Sequence, residues 1–287
     1  MLPLWTLSLA ASFLLPATGE VVTNFKTCTQ FFFYQKPPKL SLSSKNLATI
    51  CQHYKGKYRF ATMYDRERRI PIFSAYKYQP GGRGRSKNWM IEPQLALPRE
   101  RTRKSMESEK NCKIDRELLR NSQALNEDYK QTTTGIYNRG HLLPVSHQKN
   151  RESRAATSTL TNIVPQFQRL NQGKWAGYEI NMKKNTTGCL DTYVLVGVVP
   201  GDKFIADGRV NIPSHMWAAA CCETKEKQRK SWGVIAKNNE NRIVYHKLQE
   251  LEKELAKCYG GVKINLFNGD CYSAKQLHIT NTSAVQT

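Results

Sequence analysis

The amino-acid sequence predicts a single α+β domain. Short apolar and aromatic runs bounded by turn residues recur along the chain, as is typical of strands, whereas apolar residues at helical spacing are confined to a few segments. Of the 287 residues, 39% are apolar and 10% are aromatic, which suffices for a large core. Because no long linker, internal repeat or low-complexity segment divides the chain, we expect one domain over residues 20–287 with a short C-terminal tail.

The first nineteen residues are predicted to be a signal peptide. Residues 1–19 carry no charged side chain, contain an apolar run and end in a small-x-small cleavage pattern. An uncleaved membrane anchor is the alternative, but Ser12 and Pro16 interrupt the run, which is short for a span. No later segment is long and apolar enough to cross a bilayer. We therefore expect a secreted chain that begins near Glu20.

The cysteine content agrees with an oxidising compartment. Eight cysteines follow the predicted signal peptide, and their even number favours disulfides. Their pairing stays open, although the neighbours Cys221 and Cys222 are expected to have different partners because a bridge between them would be strained. Sequons at Asn185 and Asn281 fit a glycoprotein.

The domain is predicted to open with a helix and then a β-hairpin. Ser44 is a suitable helix cap, and Leu47, Ile50 and Cys51 follow at helical spacing. Two runs of mixed apolar and aromatic character, 58–64 and 70–78, flank a charged turn and predict two paired strands of a central sheet.

A glycine-rich basic loop follows the hairpin. Its cations Arg83, Arg85 and Lys87 are dense enough to grip a phosphate backbone, although a solvated loop is the simpler interpretation. Residues 106–130 are polar with a helical tendency and are predicted to form a surface connection.

The last third is predicted to complete the sheet and to end in a helix. Residues 191–199, 211–223 and 231–237 read as strands, the first of them buried. Leucines at three- and four-residue spacing then run up to Gly260 and Gly261, which indicates an amphipathic helix with a glycine stop.

The charge balance points to a polyanionic partner. The chain carries 44 Lys and Arg against 23 Asp and Glu, a net charge of +21 with a pI near 9.7. Such a field attracts nucleic acid, heparan sulfate or anionic membrane, whereas solubility or surface adhesion is the simpler alternative.

The stretch 135–179 combines groups suited to metal-assisted hydrolysis. An imidazole group titrates near neutral pH, so His141 can act as a base, while Asn171 and Glu179 offer the oxygen ligands that magnesium prefers. Each has a simpler interpretation, since His141 could be structural and Asn171 a helix cap. Trp175 is predicted to pack in the core. His147 is predicted to lie at the surface, because Pro144 breaks any helical register with His141.

Taken together, these residues resemble the signature of the DNA/RNA non-specific endonuclease family. The matching segments are NRGHLLP at 138–144, TNIVPQ at 161–166 and NQGKWAGYE at 171–179. The similarity extends along nearly the full chain to a secreted vertebrate branch of that family. The resemblance implies a ββα-metal (His-Me finger) nuclease fold, with a mixed, mainly antiparallel central sheet flanked by helices.

The resemblance also implies a role for each matched residue. His141 corresponds to the general base, Asn171 to the direct ligand of Mg²⁺ or another divalent cation such as Mn²⁺, and Glu179 to a carboxylate that reaches the metal through water. Arg139 corresponds to an arginine that supports the site or the phosphate. The resemblance further implies that Asn138, Asn162 and Gln166 are polar residues that hold the catalytic side chains in position.

Two positions depart from the family pattern. Asn138 stands where the motif has aspartate, which removes a charge that would favour the imidazolium form of the base. Lys87 stands where the family has a phosphate-binding arginine, and it lacks the bidentate fork unless Arg85 replaces it.

Three hypotheses follow from the sequence. The first is a secreted, magnesium-dependent endonuclease of low sequence specificity that cuts DNA, with RNA as a second candidate substrate. The second is a catalytically weak or inactive homologue that binds nucleic acid or other polyanions. The third is a basic matrix or signalling factor, which leaves the retention of His141, Asn171 and Glu179 without explanation.

Overall fold

A computed structural model describes residues 20–42, 44, 46–82, 84, 86, 88–100, 102–130 and 135–272. The predicted signal peptide and the sequon at Asn281 lie outside the described residues. So do Arg83, Arg85 and Lys87, the predicted phosphate-binding cations of the basic loop.

The described residues alternate between strands and helices. In chain order the strands β1 to β16 are Val21–Val22, Lys39–Leu40, Leu47–Tyr54, Lys57–Asp65, Ile70–Lys77, Met90–Ile91, Glu107–Ser108, Tyr137–His141, Ile163–Phe167, Cys189–Val199, Lys203–Ile205, Val210–Ile212, His215–Thr224, Arg229–Lys237, Val244–His246 and Ile264–Asn265. The helices α1 to α6 are Pro93–Ala96, Arg116–Ser122, Arg151–Ala156, Gln168–Gln172, Lys174–Asn185 and Leu248–Cys258. Short 3₁₀ segments cover Phe25–Phe31, Phe33–Gln35, Glu109–Asn111, Asn126–Tyr129, Val145–His147 and Leu160–Asn162.

An eight-stranded antiparallel sheet forms the centre of the fold. Its strand order is β1-β3-β4-β5-β10-β13-β14-β15, and neighbours pair antiparallel throughout. The predicted hairpin is β4–β5, and the strands predicted in the last third are β10, β13 and β14. The two parallel bridges, Gln79 with Gln148 and Met90 with Thr159, lie outside this sheet. The α+β prediction is therefore confirmed.

The helix predicted from Ser44 is wrong, because this segment is strand β3. Lys55 and Gly56 form a two-residue turn with positive φ values of 48° and 74°, the conformation that joins tightly paired strands. β3 lies between β1 and β4, and its consecutive residues Ile50 and Cys51, which point to opposite faces of the sheet, are both fully buried. A strand buried on both sides loses its apolar alternation, so the spacing of Leu47, Ile50 and Cys51 imitated that of a helix.

Two hydrophobic cores lie on opposite faces of the sheet. Alternate residues of β10 divide between them: Val194 and Val196 contact the first core, and Leu195 contacts the second. The first core contains α2, α5 and the β8–β9 hairpin, and the second contains α6 and the aromatic segment Phe25–Phe31. Among the described residues, no helix is long and apolar enough to span a membrane.

Residues 106–130 were predicted to form a surface connection, but they also contribute to the core. Leu119, Leu125 and Tyr129 are buried in the first core, contrary to the prediction of few core positions. The final helix, in contrast, is confirmed as α6, and Gly260 and Gly261 follow it with φ values of 82° and 85°.

Six of the eight cysteines form disulfides. The pairs are Cys28–Cys51, Cys189–Cys222 and Cys221–Cys271, so the neighbours at 221 and 222 have different partners as predicted. Cys112 and Cys258 are free thiols, which contradicts the expectation drawn from the even count. Cys112 packs against the first core and Cys258 against the second, so the sheet separates them.

A buried pair of carboxyl groups supports the turn that precedes β9. The Oε1 atom of Glu92 accepts hydrogen bonds from the hydroxyls of Thr159 at 2.7 Å and Thr161 at 3.0 Å. The carboxyl of Glu20 hydrogen bonds to Glu92 and accepts from the backbone N–H of His53 at 3.2 Å. Burial raises the pKa of both carboxyls, and the charge of Glu92 raises that of Glu20 further.

Because of this carboxyl pair, we expect the free energy of unfolding to decrease as the pH rises. Since both folded pKa values lie above the ordinary 4.5, the stabilisation is complete below that pH and is lost as the pH rises through the raised values. Glu92→Gln keeps an oxygen acceptor and removes one charge. Its thermal midpoint is expected to fall less than that of the wild type between about pH 5 and pH 8, in calorimetric scans. Glu117→Gln, on the exposed side of α2, is the control, and parallel curves for wild type and Glu92→Gln would contradict the prediction.

Candidate active site

A β-hairpin followed by two helices carries the predicted centre. Strands β8 and β9 pair antiparallel with His141 opposite Ile163. The chain then enters α4, which carries Asn171, and α5, which carries Glu179. A hydrogen bond of 2.7 Å from the backbone N–H of Gln168 to the carbonyl of Ile136 joins the start of α4 to the approach of β8. The three predicted residues therefore belong to one ββα unit.

Gly140 allows the two strands of the hairpin to approach each other. A Cβ atom at this position would lie 2.3 Å from Oε1 of Gln166. Gln166 is fully buried, and neither polar atom of its amide has a hydrogen-bond partner among the described residues. Asn138 is half-buried and lies directly opposite Gln166 in the register. The amides at 138 and 166 thus sit together on the strands that present His141.

An aromatic ring covers His141. The ring centroids of Trp89 and His141 are 5.9 Å apart, and the rings are tilted by 35°. The guanidinium of Arg139 lies 5.3 Å from the Trp89 ring and 5.5 Å from the Tyr129 ring. Its Nη2 donates to the backbone carbonyl of Asn126 at 3.0 Å and to Oδ1 of that residue at 2.8 Å. This placement favours support of the histidine through Trp89 over direct contact of Arg139 with a phosphate.

Asn162 holds the chain that leaves His141. Its Oδ1 accepts from the backbone N–H of Leu143 at 3.0 Å and from the hydroxyl of Ser74 at 2.9 Å. Its Nδ2 donates to the carbonyls of Leu143 and Thr157, each at 3.0 Å. Asn162 is fully buried, so it ties the segment after β8 to strand β5 of the main sheet.

Replacing Asn162 by alanine is expected to lower the free energy of unfolding by about 3 kcal/mol, because buried partners lose their hydrogen bonds. Urea denaturation followed by circular dichroism measures this change. The matched control is Asn121→Ala, because the Asn121 side chain is exposed and its amide donates a hydrogen bond to the Glu117 carboxylate one turn away on α2. A loss no larger than that of the control would show that Asn162 does not hold this segment.

Asn171 is not a helix cap. It lies near the end of the five-residue helix α4, and the residues that cap α4 and α5 at their N-termini are Phe167 and Gly173. Gly173 separates the two helices, and a Cβ there would lie 2.4 Å from the carbonyl oxygen of Arg169. The simpler interpretation of Asn171 as a helix cap is therefore wrong, and its half-buried side chain remains available as an oxygen ligand.

The side chain of Glu179 is half-buried beside Trp175. Burial raises its pKa to about 8, and a hydrogen bond with the Trp175 side chain lowers it in part. Trp175 is 1% exposed and packs in the first core, as predicted. Within the described part of the chain, Glu179 has no ion-pair partner. A nearby cation would therefore stabilise its charged form.

His147 is buried, contrary to the prediction that it lies at the surface. Its Nε2 lies 3.0 Å from the backbone carbonyl of Glu179 and must carry the proton, so Nδ1 accepts from the hydroxyl of Tyr76 at 2.9 Å. Burial lowers the pKa of His147 to about 4, which keeps the ring neutral. His147 thus fixes the helical turn that bears Glu179. Pro144 does break the helix, but the 3₁₀ turn after it points the histidine inward.

The residues of this centre fit a hydrated divalent cation. In the described part of the chain, no three His, Cys, Asp or Glu side chains come together as metal ligands. The amide oxygen of Asn171 and the desolvated carboxylate of Glu179 are hard oxygen donors, and magnesium is commonly held by few protein ligands while it keeps several waters.

These elements form the ββα-metal fold. A solved structure of EndoG in complex with EndoGI matches with a TM-score of 0.52 over 76% of this chain and 86% of that chain, at 17% identity, which shows the fold. Residues 39–263 match the family described as DNA/RNA non-specific endonuclease. The chain belongs to that family.

The relatives agree with this assignment. The Endonuclease domain-containing 1 protein of Homo sapiens is 33% identical over 210 residues, which cover 71% of this chain and 40% of the relative. The protein of the same name from Mus musculus is 31% identical over 280 residues, covering 93% and 51%. The mitochondrial nuclease EXOG of Xenopus laevis is 29% identical over 205 residues, covering 66% and 55%. The chain thus spans about half the length of these relatives. The predicted likeness to the endonuclease domain-containing 1 branch is confirmed.

Proposed function

We propose that this chain is a secreted endonuclease that hydrolyses phosphodiester bonds of DNA and RNA with low sequence specificity, using Mg²⁺ or a similar divalent cation. The observation that carries the proposal is the single ββα unit that bears His141, Asn171 and Glu179. Family membership and the net charge of +21 support a polyanionic substrate. The three disulfides support an oxidising, extracellular location.

In this proposal the imidazole of His141 accepts a proton from the water that attacks the phosphorus. Trp89 restricts the orientation of the imidazole, and Asn162 anchors the chain beyond it. His147 holds the turn from which Glu179 projects. A divalent cation held by Asn171 and, through water, by Glu179 would neutralise charge that develops on the phosphate and the leaving oxygen.

Asn138 favours a second candidate function, binding without cleavage. An amide at this position keeps a hydrogen-bonding group on the hairpin but supplies no negative charge to stabilise the imidazolium of His141. Loss of one pre-organised group of this kind lowers rates by about 10²–10³-fold in other enzymes. A weak nuclease, or a protein that binds nucleic acid or another polyanion without cutting it, would follow.

A plasmid assay separates the two functions. Purified mature protein is incubated with supercoiled plasmid and Mg²⁺, with and without chelator, and the products are resolved on agarose. The proposed nuclease converts supercoiled DNA to nicked and linear forms only without chelator. If the protein retards DNA on a gel but cuts it with neither Mg²⁺ nor Mn²⁺, and Asn138→Asp restores cleavage, the second function is correct.

A further inference from the structure

A cleft of about 330 Å³ lies beside helix α3, apart from the residues of the active site. Its walls come from α3, from the turn between β3 and β4, and from the loop that leads to Trp89. The residues that line it include Tyr54, Lys55, Gly84, Ser86, Arg151 and Arg154. We call it the α3 cleft.

Two arginines tie both walls of the α3 cleft to the helix. The Nε of Arg59 donates to the carbonyl of Tyr54 at 3.0 Å, and its Nη1 donates to Oδ1 of Asn150, the N-cap of α3, at 3.3 Å. On the other side, the Nε of Arg154 donates to the carbonyl of Gly84 at 3.3 Å. A Cβ at Gly82 would lie 2.4 Å from the backbone carbonyl oxygen of Gln148, so glycine at this position allows the close approach of the two backbones. The hydrogen bonds of Arg59 and Arg154 therefore fix the positions of the two walls of the cleft.

The α3 cleft is positively charged. Lys55, Arg151 and Arg154 line it, against one carboxylate, that of Glu152. Within the described residues, neither Lys55 nor Arg151 has an ion-pair partner within 4.0 Å. Both side chains are exposed, and the three cations of the cleft outnumber its one carboxylate.

The cleft is continuous with the active site along the chain. Ser86 lines the cleft, and Trp89, three residues on, covers His141 with ring centroids 5.9 Å apart. Three residues span at most about 11 Å between Cα atoms. Phosphates of one DNA strand follow each other by about 3.4 Å along the helix axis, so a strand cut at His141 can place a phosphate a few nucleotides away in the cleft.

We propose that the α3 cleft binds the phosphodiester backbone of the substrate strand a few nucleotides from the bond that is cut. This inference rests on the proposed nuclease function. The cleft offers lysine and arginine side chains to phosphate oxygens, so it contributes affinity that does not depend on base sequence. Each phosphate that it neutralises releases counterions, and the contribution therefore weakens as salt rises.

The test is the salt dependence of binding to a labelled short DNA duplex, measured by fluorescence anisotropy in chelator so that cleavage plays no part. Lys55→Asn with Arg151→Ala removes two charges, and asparagine suits the positive φ of 48° at position 55. The slope of log affinity against log salt is expected to become shallower by about 2 units. Lys55→Arg with Arg151→Lys keeps the charges and is expected to keep the slope.

The matched control removes two lysines from the opposite face of the sheet. Lys253→Ala with Lys257→Ala on α6 changes the net charge equally and is expected to leave the slope near that of the wild type. An equal change in both double variants, or no change in the cleft variant, would overturn the proposal. The proposal would also be overturned if the cleft variant lost affinity for a heparan sulfate fragment and kept its affinity for DNA. Hydrolysis of a small chromogenic phosphodiester by the wild type tests the nuclease function separately, since that substrate does not reach the cleft.

Discussion

His141→Ala is expected to lower the rate of plasmid cleavage by about 10²–10⁴-fold, the usual contribution of a general base. His141 ends strand β8 beneath Trp89, where its imidazole is half-buried and restricted by ring contact. Alanine keeps the strand register and removes the proton acceptor. Initial rates of loss of supercoiled plasmid, compared at equal protein concentration, measure the change.

The control for this variant is His246→Ala. His246 lies on β15, the edge strand of the main sheet, and no role in the centre is expected of it. Thermal unfolding of both variants checks that the fold is kept. Equal cleavage by wild type and His141→Ala would end the assignment of His141 as base, and a contaminating nuclease would then be the first suspect.

Asn171→Ala is expected to abolish both metal-dependent cleavage and the stabilisation of the fold by divalent cation. A ligand present at a hundredfold excess over its dissociation constant stabilises the folded state by about 2.7 kcal/mol. Alanine removes the amide oxygen, the one direct ligand expected from the protein, and leaves only contacts through water. Asn171→Asp retains an oxygen donor at the same position and is expected to retain binding.

The measurement is the shift of the thermal midpoint on addition of Mn²⁺ or Mg²⁺, which does not require cleavage. Wild type and Asn171→Asp should shift upward, and Asn171→Ala should not. If Asn171→Ala is stabilised as strongly as the wild type, the cation binds elsewhere on the chain. If no variant shifts but the wild type cuts DNA, the cation enters only with the substrate.

Much of the sheet could be predicted because its signals are local. The hairpin β4–β5 and the strands β10, β13 and β14 carry apolar and aromatic runs between charged or glycine turns. Helix α6 shows its leucine spacing and its glycine stop. Strand β3 could not be predicted because residues on both of its faces, such as Ile50 and Cys51, are buried, which removes the alternation on which a strand prediction depends.

The centre divides in the same way. His141, Asn171 and Glu179 could be predicted because they belong to a motif of fixed order, and the structure places them on one ββα unit. The residues that surround the motif in the fold could not be predicted from the sequence. Tyr129 lies in a stretch interpreted as surface, yet it packs against Arg139. His147 lies six residues after His141, and only the fold turns it inward to Glu179.

The family of this protein, the residue types of its centre and its strongly basic character can all be recognised from the sequence, since these depend on which groups are present and in what order. The tertiary structure alone decided that Cys112 and Cys258 stay unpaired on opposite faces of the sheet. The α3 cleft also exists only in the tertiary structure, because its walls come from segments far apart in the chain. The reason is physical: pairing, burial and cleft shape depend on contacts between distant residues, which local patterns do not encode.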